Sequence, residues 1–202
     1  MSRTPMVLVL AGGEGRRIGG GKPLRKLAGQ TLLDHALRMA RRWSGGRTIV
    51  AGTRHDGGDH DDAVFVEDAG GMGGPLAGLA AGLLGAAQSG AETLLVIPVD
   101  APFLPHDLCD RLRERLDADA SAACAIAQSN GRDHPTCSLW QVAEAQAGIE
   151  SVKAGKNHSL MRLAETVGCV RVEWPTGGEI DPFFNINSAE DLAIAEKMFD
   201  QS

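Results

Sequence analysis

Short apolar runs alternate with helical stripes along the chain. Residues 6–11 (MVLVLA) are continuously apolar and stop at Gly12-Gly13, the pattern of a strand buried on both faces of a parallel sheet. Residues 31–43 place Leu32, Leu33, Ala36, Leu37, Ala40 and Trp43 at helical spacing. Residues 48–51 and 63–66 read as short strands. A helix is predicted over 75–87, opening on Pro75, a favoured first-turn residue. The run 93–99 (TLLVIPV) predicts another buried strand, with Pro98 near its end, and 104–116 predicts a helix. Residues 122–127, 136–140 and 167–172 are further strand candidates. A helix over 188–199 has Ser188 as N-cap and Asp191 three residues on, close to a capping box. Strands alternating with helices imply βαβ units: an α/β, three-layer Rossmann-like fold with a mostly parallel twisted sheet. No linker or repeat divides the chain, so residues 1–202 are read as one domain.

Composition narrows the function. With 202 residues, 43% of them apolar, the chain can bury a core and is not intrinsically disordered. No run approaches the ~18 apolar residues that span a bilayer, and the N-terminus lacks the pattern of a secretory signal. The four cysteines (Cys109, Cys124, Cys137, Cys169) form no C-x-x-C pair, which points away from a disulfide framework or structural zinc and toward a reducing cytoplasm. A net charge of −6 excludes a broad nucleic-acid-binding surface.

The charge is unevenly placed. No acidic residue falls between Gly15 and Leu33, where Arg16, Arg17, Lys22, Arg25 and Lys26 gather. The segment GGEGRRIGGGK holds six glycines in eleven residues, and glycine lets backbone N–H groups approach a ligand and cradle phosphate oxygens. That combination favours a local anion site over a merely solvated basic loop. It is not a dinucleotide fingerprint, because the third glycine comes one residue late, at Gly19. Nor is it a Walker A loop, since Arg16 and Pro23 stand where glycine and Ser/Thr are required.

Further candidates follow the strands. Asp100 directly follows a buried strand, where a carboxylate can meet a hard cation such as Mg²⁺ or only cap a turn. Asp68 precedes a Gly-rich loop and can contact a ligand or make an Asx turn. Asn185 and Asn187, two apart on an extended segment, would face the same side. His134 is a possible general base, with an ordinary binding or structural role the stronger reading. The loop 55–62 (HDGGDHDD) invites a metal reading, but its glycines and charge fit an exposed turn better.

Taken in order, LAGGEGRRIGG (10–20), Lys22, VED (66–68), GPLAGLAAGL (74–83), IPVDAPFLPHDL (97–108), RDHPTCSLW (132–140) and FFNINSAEDL (183–192) resemble the molybdenum cofactor guanylyltransferases, the molybdopterin-guanine dinucleotide biosynthesis protein A family. The resemblance spans nearly the whole chain and implies a nucleotide-diphospho-sugar-transferase-like fold. It implies transfer of GMP from GTP to the phosphate of molybdenum-molybdopterin, in the cytoplasm, with no membrane or nucleic-acid partner. Transient contact with molybdenum-insertion proteins or recipient molybdoenzymes goes with that role. Leu10, Ala11, Gly12 and Gly13 would line the guanine and its phosphates through backbone groups. Lys22 and Arg16 would meet the phosphates, Asp68 the base and ribose, Asp100 the Mg²⁺, and Asn185 and Asn187 the molybdopterin side. The family usually reads G-G-x-D-K, whereas this chain reads Gly19-Gly20-Gly21-Lys22, one residue shorter and without the Asp. The shorter loop predicts a lysine set back from its usual place. The family's Asn after the second strand is also missing, or replaced by Thr53. Competing readings are a CTP-dependent cytidylyltransferase for the same cofactor, a sugar-phosphate nucleotidyltransferase, and a non-catalytic nucleotide- or cofactor-binding module.

Overall fold

A computed structural model describes residues 4–12, 21–45, 48–52, 60, 62–70, 72–155, 158–176 and 181–200. Gly13, Arg16 and Thr53 lie outside them. Seven strands form one sheet in the order β5 (Ala63–Val66), β4 (Thr48–Ala51), β1 (Met6–Leu10), β6 (Thr93–Pro98), β8 (Arg132–Gln141), β7 (Cys124–Ser129) and β9 (Cys169–Trp174). β1 is flanked in parallel by β4 and β6, and β5 pairs in parallel outside β4. β1 is buried at every position, as its unbroken apolar run demands.

β7 and β8 form a hairpin, so β8 runs antiparallel to both β7 and β6, while β9 is parallel to β7. The turn is Asn130-Gly131, both at positive φ (49° and 71°), the strongest short hairpin signal a sequence carries. The register slips between Ile126, opposite Ser138, and Ala127, opposite His134. Residues 135–137 are extra on β8, and Pro135 among them has no N–H for a ladder.

Helices cover both faces. α1 (Leu32–Ser44), α3 (Leu108–Asp117) and α6 (Ala189–Phe199) lie on one, and α2 (Gly74–Gln88), α4 (Val142–Lys153) and α5 (Leu160–Val167) on the other, each face with its own apolar cluster. α4 and α5 were not among the predicted elements. α3 begins at Leu108 and not at residue 104, because Pro105 disfavours helical backbone at Leu104. Both N-termini expected at Thr31 and Ser188 are built: each side chain accepts from the backbone N–H three residues on, and Asp34 and Asp191 complete capping boxes. Among the described residues no helix is long and apolar enough to cross a membrane.

Helix α2 presses glycines on the sheet. A Cβ at Gly82 would stand 2.6 Å from Leu8 Cδ2, one at Gly78 2.8 Å from Leu10 Cδ2, and one at Gly85 2.8 Å from Ile49 Cδ1. Some of the chain's 26 glycines therefore serve close packing and not loops.

The chain leaves β1 for β4 through α1 on one face and returns from β5 to β6 through α2 on the other. The carboxyl ends of β1 and β6 thus flank a topological switch point, where open α/β sheets leave a crevice for ligands.

Candidate active site

Lys22 enters this crevice from the segment 21–31. Gly21 sits in the left-handed region (φ 65°, ψ 31°) and turns the chain into a single 3-10 turn, Lys22–Leu24, opened by Pro23. β2 (Lys26–Leu27) and β3 (Gln30–Thr31) close a small hairpin behind it. The hairpin is clamped from two sides. On α1, His35 Nε2–H donates to the Leu27 carbonyl (2.9 Å), and its Nδ1 accepts from Arg38 (2.5 Å), which fixes the neutral tautomer. On α6, Glu196 accepts the Ala28 N–H (3.1 Å).

Lys22 Nζ forms an ion pair with Asp100, which lies just past β6, and donates to Asn187 Oδ1 at 2.7 Å. Only 17% of the Lys22 side chain and 15% of the Asp100 side chain are exposed, so the pair is well shielded from screening. The Ile186 N–H donates to the Asp100 carbonyl (2.9 Å), which ties the segment 184–187 to the end of β6. Asn185 Oδ1 is buried with no hydrogen-bond partner among the described residues. A neutral amide oxygen left in this state beside a carboxylate-bearing segment can ligate a hard cation or accept a hydrogen bond from a substrate N–H. In this chain the 3-10 turn delivers Lys22 to Asp100.

Asp68 stands on the other bank. A Cβ at Gly12 would lie 3.2 Å from Asp68 Oδ2, and one at Gly78 would lie 3.4 Å from Oδ1, so the carboxylate rests against backbone from β1 and α2. The Leu10 carbonyl accepts from the Val99 N–H (3.1 Å), and the Ala11 N–H donates to the Ala51 carbonyl (2.9 Å). Those two groups lock the strand end, so Gly12 is the better placed of the three to offer backbone to a ligand.

The structure brings Lys22, Asp100 and Asn187 together, with Asp68 and Gly12 as a second group, whereas the sequence assigned Lys22 to the phosphates, Asp100 to Mg²⁺ and Asn187 to the molybdopterin side. Sequence reasoning missed His35, Ser129 and Asp181. His134, the possible base, has its Nε2 engaged by Ser129 Oγ (2.7 Å). The loop 55–62 departs from its expected exposure at His60, which is buried against Phe65 (8% exposed) and lies 3.9 Å from Asp34. Asp62 takes two hydrogen bonds from Arg41 (2.5 and 2.9 Å). Among the described residues no three His, Cys, Asp or Glu side chains gather as a metal cluster. Burial, then the charge of Asp100, pushes the Cys137 thiol far above its usual range, so it is no nucleophile.

A mostly parallel sheet with its crevice between β1 and β6, lined by bare backbone, a lysine and two aspartates, places the chain among the nucleotide-diphospho-sugar-transferase-like α/β proteins. The family model for the MobA-like NTP transferase domain matches residues 7–167, and the chain belongs to that family. It is 40% identical to a molybdenum cofactor guanylyltransferase of Acidiphilium cryptum (strain JF-5), over 94% of this chain and 92% of that one. To the enzyme of the same name from Rhodobacter capsulatus it is 39% identical, over 96% of each. Its fold matches the crystal structure of molybdopterin-guanine dinucleotide biosynthesis protein A from Archaeoglobus fulgidus, with a TM-score of 0.74, 24% identity and coverage of 97% and 99%.

Proposed function

We propose that this chain transfers GMP from GTP to the terminal phosphate of molybdenum-molybdopterin. An acceptor phosphate oxygen attacks the α-phosphorus, the bond to the bridging β-phosphate oxygen breaks, and pyrophosphate leaves. The observation that carries the reading is the convergence of Lys22, Asp100 and Asn187 at the switch point, in a chain alike over nearly its full length to guanylyltransferases.

The acceptor phosphate is already ionised at neutral pH, so the chain need not supply a strong base. Its work is alignment and charge neutralisation. Lys22, freed from Asp100 when the nucleotide enters, is a point charge for the phosphates. Arg16 and Gly13 belong to the same basic, glycine-rich segment of the sequence, and the family resemblance assigns them to the phosphates as well. Ala11 and Gly12 offer backbone to the guanine, with Leu10 shaping the wall beneath them, and Asp68 faces the base and ribose. Asn185 and Asn187 receive the molybdopterin side.

The donor chemistry fits Mg²⁺: Asp100 supplies a carboxylate, and Asn185 Oδ1 is a buried oxygen awaiting a partner. When bound, Mg²⁺ offsets charge on the phosphates. We place the reaction in the cytoplasm, with transient hand-over to proteins that insert the finished cofactor.

Purified protein given molybdenum-molybdopterin, Mg²⁺ and GTP, CTP or ATP in turn is expected to yield the guanine dinucleotide alone, identified by mass. A product with CTP only would make it a cytidylyltransferase. Nucleotide binding without pyrophosphate release would make it a non-catalytic module.

A further inference from the structure

A hydrogen-bonded chain runs from the β7–β8 hairpin to the segment that carries the two asparagines. Ser129 is the last residue of β7 and is fully buried. Its hydroxyl donates to Asp181 Oδ2 (2.7 Å), and its Oγ lies 2.7 Å from His134 Nε2. A hydroxyl has one proton to give. With that proton on the carboxylate side, Ser129 Oγ accepts from His134, which must then carry its own proton on Nε2 and leave Nδ1 bare. Burial, the largest influence, holds this imidazole neutral. Arg132 works in the same direction, against Asp181, Asp133 and Glu173.

Both ends of the chain are anchored. The His134 ring stacks on Phe183, centroids 4.6 Å apart and planes 15° from parallel, and Phe183 meets the edge of Trp174. Asp181 Oδ1 accepts the Phe183 N–H (2.9 Å), and the Asp181 carbonyl accepts the Phe184 N–H (3.0 Å). The turn so formed leads directly to Asn185, to Ile186 on the Asp100 carbonyl, and to Asn187 on Lys22.

We propose that Asp181, Ser129 and His134 form a proton-ordered positioning relay that sets the segment 181–187, and with it the placement of Asn185 and Asn187 toward the acceptor phosphate. None of the three is a catalytic residue; each acts through the asparagines. The inference rests on the proposed guanylyl transfer for what the asparagines meet. The order of protons stands independently of it.

Two measurements on the full chain test it. In the transfer assay, Ser129→Ala and His134→Phe are expected to lower kcat/KM for the acceptor by about tenfold or more, the scale of a small misplacement of reacting groups, while GTP binding is unchanged. His134→Phe keeps a ring against Phe183 but no donor. His134→Gln, whose amide N–H reaches toward Ser129, is expected to recover most of the loss, and a purely space-filling role would give the opposite ranking. By ¹⁵N NMR, His134 is expected as the neutral Nε2–H tautomer. Asp181→Asn should move its proton to Nδ1, because the new amide donates to Ser129 Oγ and turns that hydroxyl toward the ring. Unchanged acceptor kinetics in Ser129→Ala and His134→Phe, or an Nδ1-protonated ring in the unaltered protein, overturns the relay. If the unaltered protein makes no dinucleotide, the functional reading fails while the nitrogen shifts still decide the proton order.

Discussion

At the scale of single residues, Asp100 carries the most chemistry. Its carboxylate holds Lys22, its carbonyl holds Ile186, and it stands at the end of the central strand next to β1. Asp100→Asn keeps the shape and removes the charge. Turnover measured by pyrophosphate release is expected to fall about 10²-fold or more, the scale of losing one preorganised electrostatic group. A variant with near-full turnover would remove Asp100 from the mechanism. This residue was legible in the sequence, because a carboxylate at the end of a buried apolar run has few places to go except the carboxyl edge of a parallel sheet. Lys22 was legible through the clustering of positive charge in an acidic chain. Ser129 was not: its partner Asp181 lies 52 residues away, and a serine ending a strand carries no mark of a buried hydrogen bond.

At the scale of elements, the helices were readable where their periodicity and caps coincide. Thr31/Asp34 and Ser188/Asp191 each announce a start, and both are built as capping boxes. α2 has a quieter requirement. Glycine inside a helix costs about 0.5–1 kcal/mol relative to alanine, so Gly78, Gly82 and Gly85 need a reason, and the reason is the side chains of β1 and β4 beneath them. Gly82→Val would drive a branched side chain into Leu8, which is fully buried and cannot swing away. It is expected to destabilise the fold by roughly 1–3 kcal/mol in urea unfolding. Leu84→Gln, on the exposed side of the same helix, is expected to stay within about 0.5 kcal/mol of the parent. Equal effects from the two would mean that the helix does not pack as described.

At the scale of the whole molecule, folding stability should report His134. The unfolded chain takes up a proton on this ring near 6.5, whereas the buried ring takes it up only at lower pH. Between those values the unfolded state binds more protons, so stability rises with pH and is lost as pH falls below about 6.5. Melting temperatures of the parent and of His134→Gln, followed downward from pH 7.5, should diverge in slope only in that window. Parallel curves would mean that the ring titrates alike in both states. The whole fold also shows where sequence reasoning stops. Apolar runs and helical stripes determined the alternation of elements, and hence an α/β sheet with chemistry at its carboxyl edge, because local periodicity follows from which faces must leave water. The same local signals left β8 without a direction, although Asn130-Gly131 marks its hairpin, and left the helices between β8 and β9 unassigned. Only the tertiary structure decided that His35 and Glu196 clamp the Lys22 hairpin, and that Ser129 joins His134 to Asp181. These are contacts between side chains distant along the chain, and their energy depends on burial and distance, which no local pattern encodes.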